Sequence, residues 1–166
     1  MVATTSPIVF RSHRPGDIGH VIHRHGVVYS ADYDWDERFE AMVARILADF
    51  IDNYDATKER SWIVEREGEF LGCIFLAKDR EVENTARIRA LLVEPGARGM
   101  GLGGQLIQNC VDFAREAGYQ NIILYTQSLL TPARRLYKAA GFRLAREGRI
   151  EPFAPNSRGE IWELKL

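Results

Sequence analysis

The fold of this chain is decided by one stretch, Leu91-Leu92-Val93-Glu94-Pro95-Gly96-Ala97-Arg98-Gly99-Met100-Gly101-Leu102-Gly103-Gly104, in which an apolar strand enters a helix through a glycine-rich turn. Glycine has no Cβ, so an anionic group can approach this backbone closely. The first N–H groups of a helix have no internal partner, and the helix dipole favours an anion beside them. Arg98 adds a positive charge with a fork of donors. The segment from Arg98 to Gly104 therefore predicts a binding site for a diphosphate.

The sequence of this loop allows two other interpretations. The spacing Gly99-x-Gly101-x-x-Gly104 also satisfies the dinucleotide fingerprint, which requires an acidic residue about 20 positions later, at the end of the next strand. No Asp or Glu stands between residues 117 and 146, so the sequence disfavours a nicotinamide dinucleotide. Tight packing of helix on strand could also explain the glycines. It is the weaker interpretation, because four glycines fall within six residues directly after an arginine.

Hydrophobic periodicity predicts an α/β fold with a mixed central sheet and the order β-α-α-β-β-β-α-β-α-β-β, in a single domain covering residues 1–166. The expected strands are 8–12, 61–65, 70–77, 85–93, 121–126, 142–147 and 159–166. The expected helices open at 15–17, follow residue 34, cover 100–118, and run from 131 to 141.

Several local features are predicted with these elements. Asp34, with Glu37 three residues later, has the pattern of a capping box for the second helix. Thr131 is expected to cap the last helix, and Gly141 is expected to end it. The apolar run over residues 90–93 suggests a strand buried on both faces.

Composition excludes several classes of protein. The net charge of −1 gives no global attraction to nucleic acid or to an anionic membrane, so we expect neither as a partner. Residues 1–7 lack a basic region followed by an apolar stretch, which predicts no secretory signal. Cys73 and Cys110 are isolated within apolar patterns and are expected to be buried thiols of a cytoplasmic protein. His20 and His23 have metal-like spacing, but no further ligand completes a site, so no metal is predicted.

Two motifs resemble those of a known family. Leu91-x-Val93-x-Pro95-x-x-Arg98-Gly99-x-Gly101-x-Gly103 resembles the acetyl-CoA-binding motif of the GCN5-related N-acetyltransferases (GNAT). The later Ala133-Arg-Arg-Leu-Tyr137-Lys-Ala-Ala-Gly141-Phe142 is similar to that family's second hallmark, and the order of elements agrees over nearly the whole chain. More narrowly, residues 23–26, 33–35 and 161–164 resemble the acetyltransferase half of proteins that carry a MarR-type DNA-binding domain. The chain is too short to include that domain as well.

The resemblance implies acetyl-CoA as cosubstrate and a set of coenzyme-binding residues. The last residues of the fourth strand would offer backbone groups to the pantetheine arm, and the glycine loop would hold the pyrophosphate. The implied set is Leu91, Leu92, Val93, Arg98, Gly99, Met100, Gly101, Leu102, Gly103, Gly104 and Arg134.

Tyr137 matches the tyrosine that protonates the departing CoA thiolate in this family. Such a proton donor is chemically required, because the sulfur leaves as an anion. The alternative is a core position, since Ala133, Leu136, Tyr137 and Ala140 form an apolar helical stripe.

The chain departs from the family at two positions. Many members carry an Asn near the start of the tyrosine's helix, where this chain has Gln127-Ser-Leu-Leu130, and a Glu on the fourth strand, where this chain has Arg87-Ile-Arg-Ala90. No general base is therefore carried over. His25 is the candidate base, because histidine titrates near neutrality, although its place in an apolar helical stripe is more often that of a core histidine.

The acceptor region is predicted between the first two helices. Tyr29, Tyr33 and Trp35, with Asp32 and Asp34 among them, combine aromatic faces and carboxylates, which suits a cationic amine. The sequence thus predicts an enzyme that moves an acetyl group to a primary amine of a small molecule or peptide, with a homodimer as one arrangement to test. The alternative is a non-catalytic module that senses acetyl-CoA.

Overall fold

In the computed structural model, which describes residues 5–166, the chain follows the predicted order of strands and helices. The elements are β1 (Val9–Arg11), α1 (Asp17–Tyr33), α2 (Glu37–Asp52), β2 (Arg60–Arg66), β3 (Glu69–Lys78), β4 (Thr85–Val93), α3 (Leu102–Glu116), β5 (Asn121–Gln127), α4 (Thr131–Ala139), β6 (Arg143–Glu147) and β7 (Gly159–Lys165). The predicted α/β fold is confirmed, and a short 3₁₀ turn at Pro95–Ala97 is added to it. Residues 1–4, part of the stretch predicted to contain no secretory signal, lie outside the described residues.

The strands form one mixed sheet in the order β1-β2-β3-β4-β5-β7-β6. All neighbours are antiparallel except β4 and β5, which pair in parallel through residues 85–88 and 121–124. The ladder between them ends there, although β4 continues to Val93 and β5 to Gln127. The two strands therefore diverge and open a gap in the middle of the sheet.

A bulge in β4 increases this divergence. Ala90 has a positive φ of 52°, and the register of β3 against β4 shifts beside Cys73. Opposite the bulge, a Cβ on Gly72 would lie 2.5 Å from the Leu92 carbonyl oxygen, so only glycine fits. The prediction that residues 90–93 are buried on both faces is wrong. Only Leu92 is buried, because the strand has left β5 and lines a cleft.

Hydrophobic clusters cover both faces of the sheet. The cluster beneath α3 and α4 includes Val64, Ile74, Leu76, Ile88, Leu106, Ile107, Ile122 and Leu124. The cluster beneath α1 and α2 includes Val21, Phe39, Leu47, Phe50, Ile63 and Phe75. Burial of each such side chain contributes roughly 1.5–3 kcal/mol, so the two clusters fix the helices against the sheet. Cys73 and Cys110 are buried free thiols, as predicted.

The helix ends differ from the predicted caps at two positions. Asp36, not Asp34, caps α2, because its carboxylate accepts from the Arg38 backbone N–H at 3.0 Å. Asp34 instead ends α1 in the left-handed region, with φ 59°. Thr131 is already inside α4, where no side chain caps the N-terminus. Gly141 follows α4 with φ 96°, as predicted for a residue that ends a helix.

Within residues 5–166, no helix has both the length and the apolar character required to cross a bilayer.

Candidate active site

A cleft of about 550 Å³ lies at the carboxyl end of β4, between α1, α3 and α4; we call it the glycine cleft. It is lined by nine of the predicted coenzyme residues: Leu91, Leu92, Val93, Arg98, Gly99, Gly101, Leu102, Gly103 and Gly104. Asp32 and Tyr33 line it from α1, and Pro132, Ala133, Arg135 and Leu136 line it from α4. The cleft exists because β4 and β5 separate above their paired residues.

The backbone of the glycine loop is shaped to bind an anion. Gly99 and Gly101 have φ of 79° and 76°, in the left-handed region that glycine enters at little cost. Within residues 5–166, the six consecutive N–H groups from Gly99 to Gly104 make no hydrogen bond, and the first bond of the helix is from Gln105 N–H to the Gly101 carbonyl, 3.2 Å. These free donors at the positive end of α3 fit the diphosphate of a coenzyme.

Gly103 allows two helices to pack closely. A Cβ at this position would lie 2.6 Å from Leu136 Cδ1, so the glycine lets α4 pack closely against α3. Tight packing therefore explains one glycine of the loop, whereas Gly99 and Gly101 are explained by their positive φ.

The two predicted arginines lie in different places. Arg98 lines the glycine cleft, and its guanidinium pairs with the Asp32 carboxylate at 2.5 Å. Arg134 points the other way and holds the buried Glu160 of β7, with Nε–Oε1 at 2.8 Å and Nη2–Oε2 at 3.2 Å. Its neighbour Arg135 lines the cleft instead. Met100 is 40% exposed and does not line the cleft. This geometry gives no support to a coenzyme contact by Arg134 or by the Met100 side chain.

A second cavity of about 130 Å³ adjoins the cleft through the gap between β4 and β5; we call it the aromatic pocket. Tyr29, Leu91, Leu130 and Ala133 line both cavities. The other side chains of the pocket are mostly apolar or aromatic, and they come from distant parts of the chain. They include His25, Trp35, Phe39, Met42, Val43, Ile46, Ile88, Arg89, Leu124, Tyr125, Thr126, Gln127, Tyr137 and Phe153.

Tyr137 lies in the aromatic pocket, where it is 5% exposed. Burial raises the pKa of its phenol above the ordinary value, so the hydroxyl keeps its proton at neutral pH. The hydroxyl donates to no group among residues 5–166. Nearby, the Tyr29 hydroxyl donates to the Leu91 carbonyl at 3.4 Å, and burial raises the pKa of Tyr29 as well. Tyr137 is therefore a protonated, unengaged donor beside the end of β4.

His25 is buried on α1 and lines the same pocket. Its Nδ1 lies 2.8 Å from the Val21 carbonyl, which only accepts, so Nδ1 carries the proton and donates. Nε2 then holds a lone pair with no partner among the described residues. Burial lowers the pKa of His25 to about 4, so the ring is neutral at neutral pH. His25 is a hydrogen-bond acceptor toward the pocket and a weak base.

The aromatic residues of the predicted acceptor region, Tyr29, Tyr33 and Trp35, pack on one another with ring centroids 5.3–5.7 Å apart, but the carboxylates do not join them in one cavity. Trp35 lines the aromatic pocket, but Tyr33 lines the glycine cleft. Asp32 is bound to Arg98, and Asp34 ends α1. In the described part of the chain no Asp or Glu lines the aromatic pocket. The two carboxylates are therefore not available inside the pocket, because Asp32 is paired with Arg98 and Asp34 lies at the end of α1, and the preference for a cationic amine stays a prediction.

Three polar or aromatic residues of the pocket escaped the sequence analysis as site residues. Gln127 at the end of β5 is 4% exposed, and neither atom of its amide has a hydrogen-bond partner within residues 5–166. The one indication in the sequence was that residues 127–130 lack the Asn that many family members have there. Arg89 lies in the stretch of the fourth strand where many family members have a Glu, and nothing in the sequence marked its own side chain as part of the pocket. Phe153, from the loop between β6 and β7, packs on Trp35 and Phe39 with ring centroids 5.1 and 5.2 Å away, and no local pattern announced it.

In residues 5–166 no group of three or more His, Cys, Asp or Glu side chains is placed to hold a metal ion.

Comparisons with known proteins agree with this geometry. Residues 28–142 match the model of the acetyltransferase (GNAT) family. An N-acetylaspartate synthetase of Danio rerio is 32% identical over 92 residues, which make up 55% of this chain and 32% of that protein. The chain spans 28–59% of the length of the first curated relatives it matches.

Solved structures share the fold at lower identity. An acetyltransferase of the GNAT family from Staphylococcus aureus superposes with a TM-score of 0.76 at 16% identity, covering 96% of this chain and 99% of that one. A Salmonella typhimurium protein solved with its cofactor acetyl-CoA has a TM-score of 0.74 at 18% identity, covering 97% of this chain and 95% of that one.

Proposed function

The chain belongs to the acetyltransferase (GNAT) family, and from that premise we propose that it transfers the acetyl group of acetyl-CoA to a primary amine of a small molecule or peptide. The observation that carries the proposal is the row of six unpaired N–H groups at residues 99–104, in a cleft that opens onto a pocket containing Tyr137. The cleft fits a long anionic coenzyme, and the pocket fits a small acceptor.

The glycine cleft divides into two parts for the coenzyme. The N–H groups from Gly99 to Gly104 and the Arg98 guanidinium bind the pyrophosphate, because they gather free donors and positive charge. The backbone of residues 91–93, which has lost β5 as a partner, offers groups to the pantetheine arm. Arg135 replaces Arg134 as the second arginine of the site.

Bound acetyl-CoA supplies a thioester, at whose carbonyl carbon a C–N bond to the amine forms while the C–S bond breaks and the sulfur leaves with the electron pair. Tyr137 Oη donates a proton toward that sulfur. Burial raises the pKa of this phenol, so it is protonated when the sulfur departs, although it is a weaker acid than an exposed tyrosine. The walls of Trp35, Phe39 and Phe153 exclude water, so the acetyl group reaches the amine rather than hydroxide.

Deprotonation of the acceptor amine does not depend on His25 as the general base. A base with a pKa of about 4 takes few protons from an ammonium, so His25 is not the principal base. The apolar pocket disfavours a charged ammonium by desolvation, and the acceptor enters as the free amine. His25 Nε2 then accepts a hydrogen bond from the amine N–H and orients its lone pair. After the C–N bond forms, the nitrogen loses one proton, which replaces the proton that Tyr137 gave to the sulfur, so the products are the amide and the CoA thiol.

A second function has a specific observation in its favour. No carboxylate and no histidine of ordinary pKa lines the aromatic pocket in the described part of the chain. A domain that binds acetyl-CoA without turnover needs neither.

The relationship to the MarR-type proteins, the cytoplasmic location and the homodimer stay predictions.

One experiment separates these functions. CoA thiol release is measured with acetyl-CoA and a broad panel of amines, beside thermal unfolding with acetyl-CoA or NAD. We expect thiol release with at least one amine, and stabilisation by acetyl-CoA of about 2.7 kcal/mol at 100 times its Kd. Stabilisation without release from any amine would establish the sensor. Stabilisation by NAD alone would overturn both.

A further inference from the structure

Arg89 on β4 is the only residue of formal charge among those lining the aromatic pocket, within residues 5–166. It lies on the wall that the pocket shares with a polar cleft further along β4. Two other arginines line that cleft, and each has its own carboxylate. Arg80 pairs with Asp49 at 2.9 Å, and Arg87 pairs with Asp79 at 2.8 Å. The Arg89 guanidinium makes no ion pair or hydrogen bond with any group among residues 5–166.

The remaining buried carboxylate of the polar cleft is also occupied. Glu59 accepts from the backbone N–H groups of Asp55, 2.9 Å, and Lys78, 3.0 Å. The fold therefore provides no direct ion-pair partner for Arg89 on this side, although the charges of Asp49 and Asp79 act on it from a distance.

An unpaired guanidinium in this position costs stability. Arg89 is half-buried, and burial together with repulsion from Arg87 lowers its pKa to about 10. It is still positively charged at neutral pH, in surroundings that disfavour the charge. Groups kept at such a cost are often completed by a ligand.

Gln127 supplies a second and independent observation. Its amide is 4% exposed, lines the aromatic pocket, and has neither its donor nor its acceptor satisfied within residues 5–166. Buried amides normally have partners, because a lost hydrogen bond costs about 1–3 kcal/mol. A polar group of the acceptor would satisfy this amide.

The rest of the pocket limits what that acceptor is. Its volume is about 130 Å³, and rings and aliphatic side chains form most of its wall. An acceptor with several ammonium groups would meet Arg89 and no carboxylate. A small apolar molecule with one amine and one negative group meets complementary surroundings.

We propose that the acceptor is a small apolar amino acid, or a molecule of the same chemistry, whose carboxylate pairs with Arg89 and the Gln127 amide while its amine faces the end of β4. The inference rests on the proposed acetyl transfer. Arg89 precedes Leu91 by two residues, about 6–7 Å along a strand. Both residues line the aromatic pocket, so the arginine side chain and the end of β4 face the same small acceptor.

The test compares leucine, methionine and phenylalanine with the amines that result from removing their carboxyl groups. Rates of CoA release are expressed per concentration of free amine, so that differences in the acceptors' own pKa cancel. We expect kcat/KM to be about 10- to 100-fold higher for at least one amino acid than for its matched amine, as one charge-assisted hydrogen bond would give. A preference for the matched amines, or for a polyamine such as spermidine, would overturn the inference.

Variants of Arg89 test the residue itself. Arg89→Met should remove the preference for the carboxylate, measured as the ratio of kcat/KM for an amino acid to kcat/KM for its matched amine, whereas Arg89→Lys should retain part of it. Thermal unfolding provides the structural check. Arg89→Met should raise Tm, because an unpaired charge is lost, and a lower Tm with equal loss of both substrate types would show a merely structural arginine.

A binding measurement keeps this inference distinct from the proposed function. Calorimetry measures the binding of the same amino acids and amines to the protein saturated with CoA. If no acceptor releases CoA, the transfer proposal fails. Binding that requires the carboxylate and is lost in Arg89→Met would still establish the carboxylate site, and its absence would overturn it.

Discussion

The glycine cleft and the aromatic pocket meet at the end of β4 but are built in opposite ways. The cleft takes most of its lining from one continuous segment, residues 91–104, and presents backbone N–H groups. The pocket takes its lining from α1, α2, β4, β5, α4 and the loop after β6, and presents side chains. One cavity therefore depends on the path of the backbone, and the other on which side chains the fold brings together.

This difference separates two kinds of specificity. Backbone donors at the start of a helix recognise a phosphate whatever the neighbouring side chains are, provided that glycine permits the turn. The aromatic pocket instead depends on the identity of side chains from six parts of the chain. The chemistry of the donor is thus a property of the loop, and the choice of acceptor is a property of the assembled pocket.

The largest expected effect is a loss of kcat caused by removing the proton donor where the two cavities meet. Tyr137→Phe removes only the hydroxyl, so we expect kcat to fall by about 10²–10⁴-fold, the range of general acid catalysis. The Kd for acetyl-CoA should hardly change, because Tyr137 lines the pocket and not the cleft. Steady-state kinetics and calorimetry measure the two quantities.

The matched control is Tyr119→Phe, which removes another buried tyrosine hydroxyl, one that donates to the Lys58 carbonyl at 2.7 Å. It should lower Tm slightly and leave kcat unchanged. An unaltered kcat in Tyr137→Phe across the pH range would remove Tyr137 from the mechanism.

The next effect concerns the pH dependence of stability that results from the buried, neutral His25. The pKa of His25 is lowered from 6.5 to about 4 by burial, so between these values the unfolded chain binds a proton that the folded chain does not. Its contribution to the free energy of unfolding is therefore complete above pH 6.5 and lost as the pH falls toward 4, by about 3 kcal/mol. Urea unfolding of wild type and His25→Gln over this range measures the difference.

His23→Gln, at an exposed position of the same helix, is the control for this prediction. Its pH dependence should follow the wild type, whereas His25→Gln should show a flatter one. In kinetics, the acidic limb of kcat/KM should follow the pKa of the chosen amine and stay in place in His25→Gln. A limb that moves in this variant, with folding intact, would restore His25 as the base.

The smallest effect tests the backbone of the cleft. Gly101→Ala places a Cβ at a φ of 76°, which costs about 1–2 kcal/mol and should weaken acetyl-CoA binding by about 5- to 30-fold. Gly96→Ala is the matched control, because a Cβ there meets no atom within 4 Å and its φ is not positive. Equal affinities in the two variants, measured by calorimetry, would show that the loop conformation is not what binds the coenzyme.

The sequence by itself determined the order of elements, the loop of residues 98–104 and the turn that ends α4 at Gly141. These features depend on residues adjacent in the chain, since periodicity, turn chemistry and helix ends are local. Nine of the residues that the family resemblance implied for coenzyme binding lie in or just before this loop and line the glycine cleft.

Only the tertiary structure decided which side chains share a cavity. Arg134 binds Glu160 and Arg135 faces the cleft, Asp32 pairs with Arg98, and Phe153 joins Trp35 across more than a hundred residues of sequence. The divergence of β4 from β5 also required the sheet, because a strand's own sequence does not specify where its neighbour stops pairing. The donor site is local in the chain and could be predicted from it, whereas the acceptor pocket exists only after packing has brought its six elements together.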